Sequence, residues 1–174
     1  MTIRELKTTG VRDRSVGPLT RTTQPAKLRG RWVPRSLEML ESPAWRVLPL
    51  AARKVLERIE IEFLRRNRTN NGAIVCTYDD LVVYGVRRAS IRRALAQLEA
   101  LGLLKIVVRG HRAATDLNFP SLYRLTYVQG VNDIEATHDW RNFDTEAKAR
   151  AALRQVEKEI DARKASRNGR EPEL

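Results

Sequence analysis

Residues 84–106, YGVRRASIRRALAQLEALGLLKI, hold a helical repeat set between two glycines. Ile91, Leu95 and Leu98, with Ala94 beside them, recur at the three- and four-residue spacing that gathers side chains on one face of a helix. Gly85 precedes the repeat and Gly102 closes it, at turns where the left-handed conformation costs glycine least. The helix between them, about Arg88 to Leu101, opens with four arginines in the seven positions from 87 to 93. A short helix with one apolar stripe must dock that stripe on a core. Its arginines are then left for solvent or for something negatively charged.

The flanking sequence supplies the rest of that core. LAARKVLERIEIEFLRR repeats at helical spacing, so Leu50, Val55, Leu56, Ile59 and Phe63 predict an amphipathic helix over about 50–66. NRTNNG ends it, and AIVC reads as a short strand. In TYDDLVVYG, Thr77 can cap a short helix with Asp80 three residues on; Leu81, Val82 and Tyr84 are its expected buried side, and Val86 fills the turn after it. LLKIVVRG predicts a strand. GHRAATDLNFPS predicts a loop, and LYRLTYV predicts a second strand in which Tyr123, Leu125 and Tyr127 alternate with Arg124 and Thr126. The expected order is helix, short strand, helix, tight turn, helix, strand, basic loop, strand, which is an α+β arrangement.

Charge decides what such a unit meets. The chain carries 33 Lys/Arg against 21 Asp/Glu, a net charge of +12. Chains this basic bind nucleic acid, anionic membrane or acidic proteins. No apolar run is long enough to span a membrane, and the opening MTIRELKTTG lacks an apolar signal core, so a cytoplasmic, nucleoid-associated setting is expected. Residues 1–31 hold eight basic and two acidic residues, are rich in Thr, Gly and Pro, and show no apolar periodicity. They predict a disordered basic tail, either a solvated linker or an arm on DNA, with order beginning near Trp32.

The stretch TYDDLVVYGVRRASIRRALAQLEALGLLKIV, residues 77–107, resembles the core of the winged helix-turn-helix superfamily, as does the G-x-x-K-like exit from the long helix into the hairpin. The chain is similar to small helix-turn-helix proteins of alphaproteobacteria and, more distantly, to the winged-helix units of plasmid replication initiators. The resemblance covers about residues 44–128. It implies a three-helix core with a small antiparallel β-hairpin wing, and binding of double-stranded DNA through the helix at about 88–101. One departure stands out: Arg87 occupies the position where many relatives have a capping Ser or Thr. Arginine cannot accept the backbone N–H groups, so the cap is absent, unless a phosphate supplies the acceptor.

With Ile91 pointing inward at 100° per residue, Ala89, Arg93 and Ala96 point nearly opposite, flanked by Arg92 and Gln97, while Arg87 and Arg88 open the helix. Arginine can pair with the guanine edge and glutamine with adenine, although most protein–DNA hydrogen bonds go to the backbone. The expected contacts are Arg87, Arg88, Ser90, Arg92, Arg93 and Gln97 from the helix, and Arg109, His111 and Arg112 from the wing, where basic groups meet the minor groove or phosphates. His111 also reads as an exposed loop histidine with no special role. Asp79 and Asp80 suit a helix N-terminus and repel phosphate, so their corner is expected to face away from DNA.

The domains read as a tail over 1–31, the winged helix-turn-helix domain over 32–128 and an extension over 129–174. The extension holds a helix at about 144–165 and a disordered end. In it Ala149, Leu153, Val156 and Ile160 form a heptad-like seam, with Glu157, Lys158 and Glu159 on the wet side. So short a helix needs a partner: its own domain, a second copy in a homodimer, or another protein.

An enzyme is the first rival reading. His111 and His138 are the only histidines and have no metal-ligand spacing, lone Cys76 reads as a buried small residue, and no glycine-rich phosphate loop is present. No catalytic residue, metal or cofactor is therefore expected. RNA-binding and protein-binding modules are the second rival. Aromatics are only 6 % of residues, too few for an evident base-stacking platform. Within DNA binding, a transcriptional regulator is favoured over a plasmid replication initiator or a recombination accessory factor, since initiators often carry two winged helices. Leu95→Asp tests the helix face: a carboxylate in the apolar stripe should abolish the cooperative thermal transition, and an unchanged midpoint would mean the arginines point inward.

Overall fold

A computed structural model describes residues 30–112 and 118–168. The expected tail therefore lies outside the described residues, except for Gly30 and Arg31. Described residues from Arg31 onward belong to one unit.

Two short capped turns open it. Ser36 accepts from the Met39 amide to start α1 (Leu37–Glu41), and Ser42 accepts from the Trp45 amide to start α2 (Pro43–Arg46), where proline takes the first helical position. The amphipathic helix α3 runs Leu50–Arg65 and buries Ala52, Val55, Leu56, Ile59 and Phe63. Leu50, expected on the apolar side, is 71 % exposed, because the first turn of α3 precedes the packed stripe. The helix also buries Glu60, which accepts from Arg35 and from the Tyr127 hydroxyl. A buried carboxylate is tolerable only with such partners.

A buried Asn71 carries the chain from α3 into the sheet. Its amide nitrogen lies 3.0, 2.8 and 3.1 Å from the carbonyls of Leu125, Val128 and Gln129, and its side-chain oxygen accepts from the Leu125 amide at 2.7 Å. Strand β1 (Ile74–Val75) follows, then α4 (Tyr78–Val83). Its capping box is complete: the Thr77 hydroxyl takes the Asp80 amide, and the Asp80 carboxylate takes the Thr77 amide. Leu81 is buried, but Val82 and Tyr84 are exposed, contrary to expectation. A helix of six residues offers the core only one clear position.

Gly85 turns the chain at φ +89°, Val86 is buried in the turn, and α5 runs Arg88–Ala100 with Ile91, Ala94, Leu95 and Leu98 inward. Gly102, at φ +68°, sends Leu103 and Leu104 back into the core. β2 (Leu104–Val108) pairs antiparallel with β5 (Leu122–Leu125), with Leu104 opposite Leu125, Ile106 opposite Tyr123, and an irregularity before Val108. β1 lies on the other edge of β5, giving the order β1-β5-β2. Beyond the sheet, within the expected loop, β3 (His111–Arg112) pairs with β4 (Asn118–Phe119). The architecture is thus α+β, as expected; the described residues form six α-helices and a three-stranded antiparallel sheet. No described helix is long and apolar enough to cross a membrane.

The expected extension is built into this unit. Trp140 is 2 % exposed and Ala149 fully buried. The Thr126 hydroxyl donates to the Gly102 carbonyl at 2.6 Å, so Thr126 points inward, not outward as strand alternation suggested. α6 spans Glu146–Asn168, close to the predicted 144–165.

These junctions yield a paired prediction. A methyl at Gly102 would stand 2.5 Å from the Asp139 carbonyl carbon, whereas one at Gly85 would meet only Lys54 Nζ at 3.7 Å. Both substitutions by alanine are strained by positive φ, at about 1–2 kcal/mol. Gly102→Ala should cost clearly more than Gly85→Ala in chemical denaturation, because only it also displaces backbone.

Candidate nucleic-acid interface

The first two turns of α5 start without a side-chain cap. Arg87 takes the N-cap position with extended φ/ψ and makes no capping bond. The amide end of the helix therefore keeps its positive partial charge. Arg87 and Arg92 are exposed and make no ion pair or side-chain hydrogen bond with the described residues. Ser90 is half-buried, its amide donating to the Arg87 carbonyl at 2.8 Å.

The remaining helix residues have acidic neighbours. Arg88 Nη1 lies 2.5 Å from Asp79 Oδ1, in an exposed pair between the openings of α4 and α5. The acidic corner thus touches the arginine cluster and does not point away from it. Arg93 Nε lies 3.0 Å from Glu157 Oε2, and Gln97 Nε2 donates to Glu157 Oε1 at 3.0 Å. Gln97 is only 7 % exposed, so the expected open position is covered. Glu157 belongs to α6 and faces α5; it is not on the wet side. The seam is likewise turned to its own chain: Ala149 is buried, Leu153 packs against the core, and Val156 and Ile160 line a groove with α5.

The hairpin base completes the surface. Arg109 Nη2 lies 2.8 Å from Glu99 Oε2, while Glu99 Oε1 accepts from the Ile106 amide beside the β2 irregularity. His111 stacks on Phe119 at 5.0 Å between ring centroids. Arg112 pairs through its backbone with Asn118, and its side chain lies outside the described residues. Gly110 is required by close approach, since a methyl there would stand 2.5 Å from the Phe119 carbonyl oxygen. Arg88, Asp79, His111 and Phe119 border one recess of about 870 Å³. Arg92 and Arg109 border a neighbouring groove of about 660 Å³, closed on its far side by α6. The structure therefore brings the opening of α5 and the base of the hairpin to adjoining concavities, while Gln97 is buried under α6 and the exposed Arg93 is paired with Glu157 outside them.

Cys76 is buried, and burial pushes its thiol up to about 12, so it is protonated near neutrality. Bonds from Thr77, aided by nearby Arg58, hold the Asp80 carboxyl below the usual aspartate range. The masking by Asp79 and Glu157 was missed from sequence. Its one local signal was that Glu157 directly follows the seam residue Val156, at the flank of the packed stripe. Comparison with family models, curated proteins and solved structures finds no match to this chain.

Asp79 and Asp80 should differ in what they contribute. Asp80→Ala removes the capping box and a partner of Arg58, and should lower stability by about 1 kcal/mol or more. Asp79→Ala breaks only an exposed pair and should leave the urea midpoint nearly unchanged. Because the folded Asp80 carboxyl titrates low, its contribution is present above the aspartate range and is lost as pH falls through the folded value. Asp80→Asn should flatten the acid limb of the stability profile.

Proposed function

We propose that this chain is a winged helix-turn-helix protein that binds double-stranded DNA, with α4, the Gly85 turn and α5 as the helix-turn-helix and β3–β4 as the tip of the wing. The observation that carries the reading is the exposed opening of α5, where Arg87 and Arg92 have no partner among the described residues, Arg92 borders the same groove as Arg109, and Arg88 borders the same recess as His111. A helix entering the major groove leads with its N-terminal residues, and small Ala89 permits close approach. Arg87, Arg88 and Arg92 take the helix contacts, with phosphate drawn to the uncapped amides. Arg109, His111 and Arg112 take the wing contacts. Exposed ion pairs such as Arg88–Asp79 are weak enough to exchange for phosphate.

Gln97 is not part of this surface while α6 covers it, and Arg93, though exposed, is engaged by Glu157 of α6. The role we assign is that of a transcriptional regulator, cytoplasmic and nucleoid-associated. Burial of Cys76, which pushes its thiol up, argues against a thiolate nucleophile at that position.

The test is a titration on duplex DNA, single-stranded DNA and RNA across a salt series. Arg87→Ala with Arg92→Ala should stay folded, lose about tenfold or more in duplex affinity, and shorten the slope of log K against log salt by about 2 if both arginines hold phosphates. Full affinity in the folded double variant, or preference for RNA, would overturn the reading.

A further inference from the structure

We infer that α6 is an intrachain lid on α5: the C-terminal helix and duplex DNA compete for the outer face of the same helix. The inference rests on the DNA-binding reading above and adds a regulated state to it.

The geometry is that of occupied reading groups. Arg93 and Ala96 point almost directly away from the Ile91–Leu98 stripe, and Gln97 flanks them. On a helix free of α6, this side would face the groove. Instead Glu157 bridges Arg93 and Gln97, at 3.0 Å to each. A guanidinium and a carboxamide are the two side-chain forks suited to guanine and adenine edges, and here one carboxylate takes both. Arg93 cannot face Glu157 and a duplex at once, and no base can reach a glutamine that is 7 % exposed.

The hold is graded along α6. Its first turns are anchored by buried Ala149, by Leu153 against the core, and by the Arg46–Glu146 pair at 3.1 Å on α2. Farther on, Val156 and Ile160 are only half-buried, and residues 161–166 are exposed. Near Arg93 the contact is an ion pair with both partners more than a third exposed, which salt and polyanions weaken. A lid held this way is displaced by a stronger anion while the start of α6 stays in the core. With the lid docked, the uncovered opening of α5 can meet phosphate; with it displaced, Arg93 and Gln97 join the contact. Apparent affinity is then reduced by the fraction of time the lid is closed.

Two variants of the full chain separate lid opening from added charge. Glu157→Gln removes the bridge. Leu153→Asp loosens the anchor while adding a negative charge, which by simple electrostatics would weaken DNA binding. Each is followed by hydrogen–deuterium exchange over 150–160 and by duplex titration. The expected result is faster exchange in α6, unchanged protection in α3, and duplex binding tightened about fivefold in both variants. If α6 loosens and the wild type binds duplex, but neither variant binds more tightly, the lid falls and the DNA reading stands. If exchange is unchanged in both variants, the lid falls as well. If no form binds duplex, the DNA reading falls and takes the lid with it.

Discussion

The chain leaves α5 through one left-handed residue, Gly102, and much of the structure depends on that turn. It lets Leu101, Leu103 and Leu104 all enter the core within four residues of the helix end. It aims β2 at β5, which in turn holds β1 and is pinned at Leu125 by buried Asn71. It also brings the Asp139 backbone against the glycine, so the 139–143 turn and Trp140 close over the same point. α6 starts from there, and this is why it runs beside α5. Packing of a helix end, a sheet edge and a late segment at one glycine therefore decides which face of α5 is covered and which stays open.

Charge is distributed on the same principle. The segment 32–128 is strongly basic, yet its exposed arginines are not equally free. Arg88, Arg93 and Arg109 each lie against one carboxylate, from Asp79, Glu157 and Glu99. Pairs this exposed stabilise little and exchange readily for another anion. They restrain the arginines, and under the proposed DNA binding they would add a salt-sensitive competition. Among the described residues Arg87 and Arg92 carry no such restraint, so under the proposed function the opening of α5 would be the point of first contact.

Much of the fold was legible because its signals are local. The Ile91–Leu95–Leu98 stripe, the turns at Gly85 and Gly102, the Thr77–Asp80 capping box and the inward Tyr123, Leu125 and Tyr127 are all set by neighbours within a few residues. What was missed depends on tertiary partners. Val82 and Tyr84 were assigned inward, but the core takes only Leu81 from so short a helix. Thr126 is inward because Gly102 offers it a carbonyl. Trp140, in a polar stretch with no periodicity, gave no sign that it is a core residue. The candidate site shows the same division. The exposed arginines at the start of α5 follow from helix periodicity, but the covering of Gln97 follows from where α6 lands, and nothing within either helix dictates that.

The most direct measurement is amide chemical-shift mapping of the full chain as a short duplex is added. The account predicts the first shifts at Arg87, Arg88, Ala89 and Arg92, with His111 and its neighbours moving in parallel. At higher occupancy, shifts follow at Arg93, Gln97 and residues 153–160 as α6 is released. Shifts confined to another surface, such as the exposed Val82–Tyr84 side of α4, or no shifts at all, would contradict it.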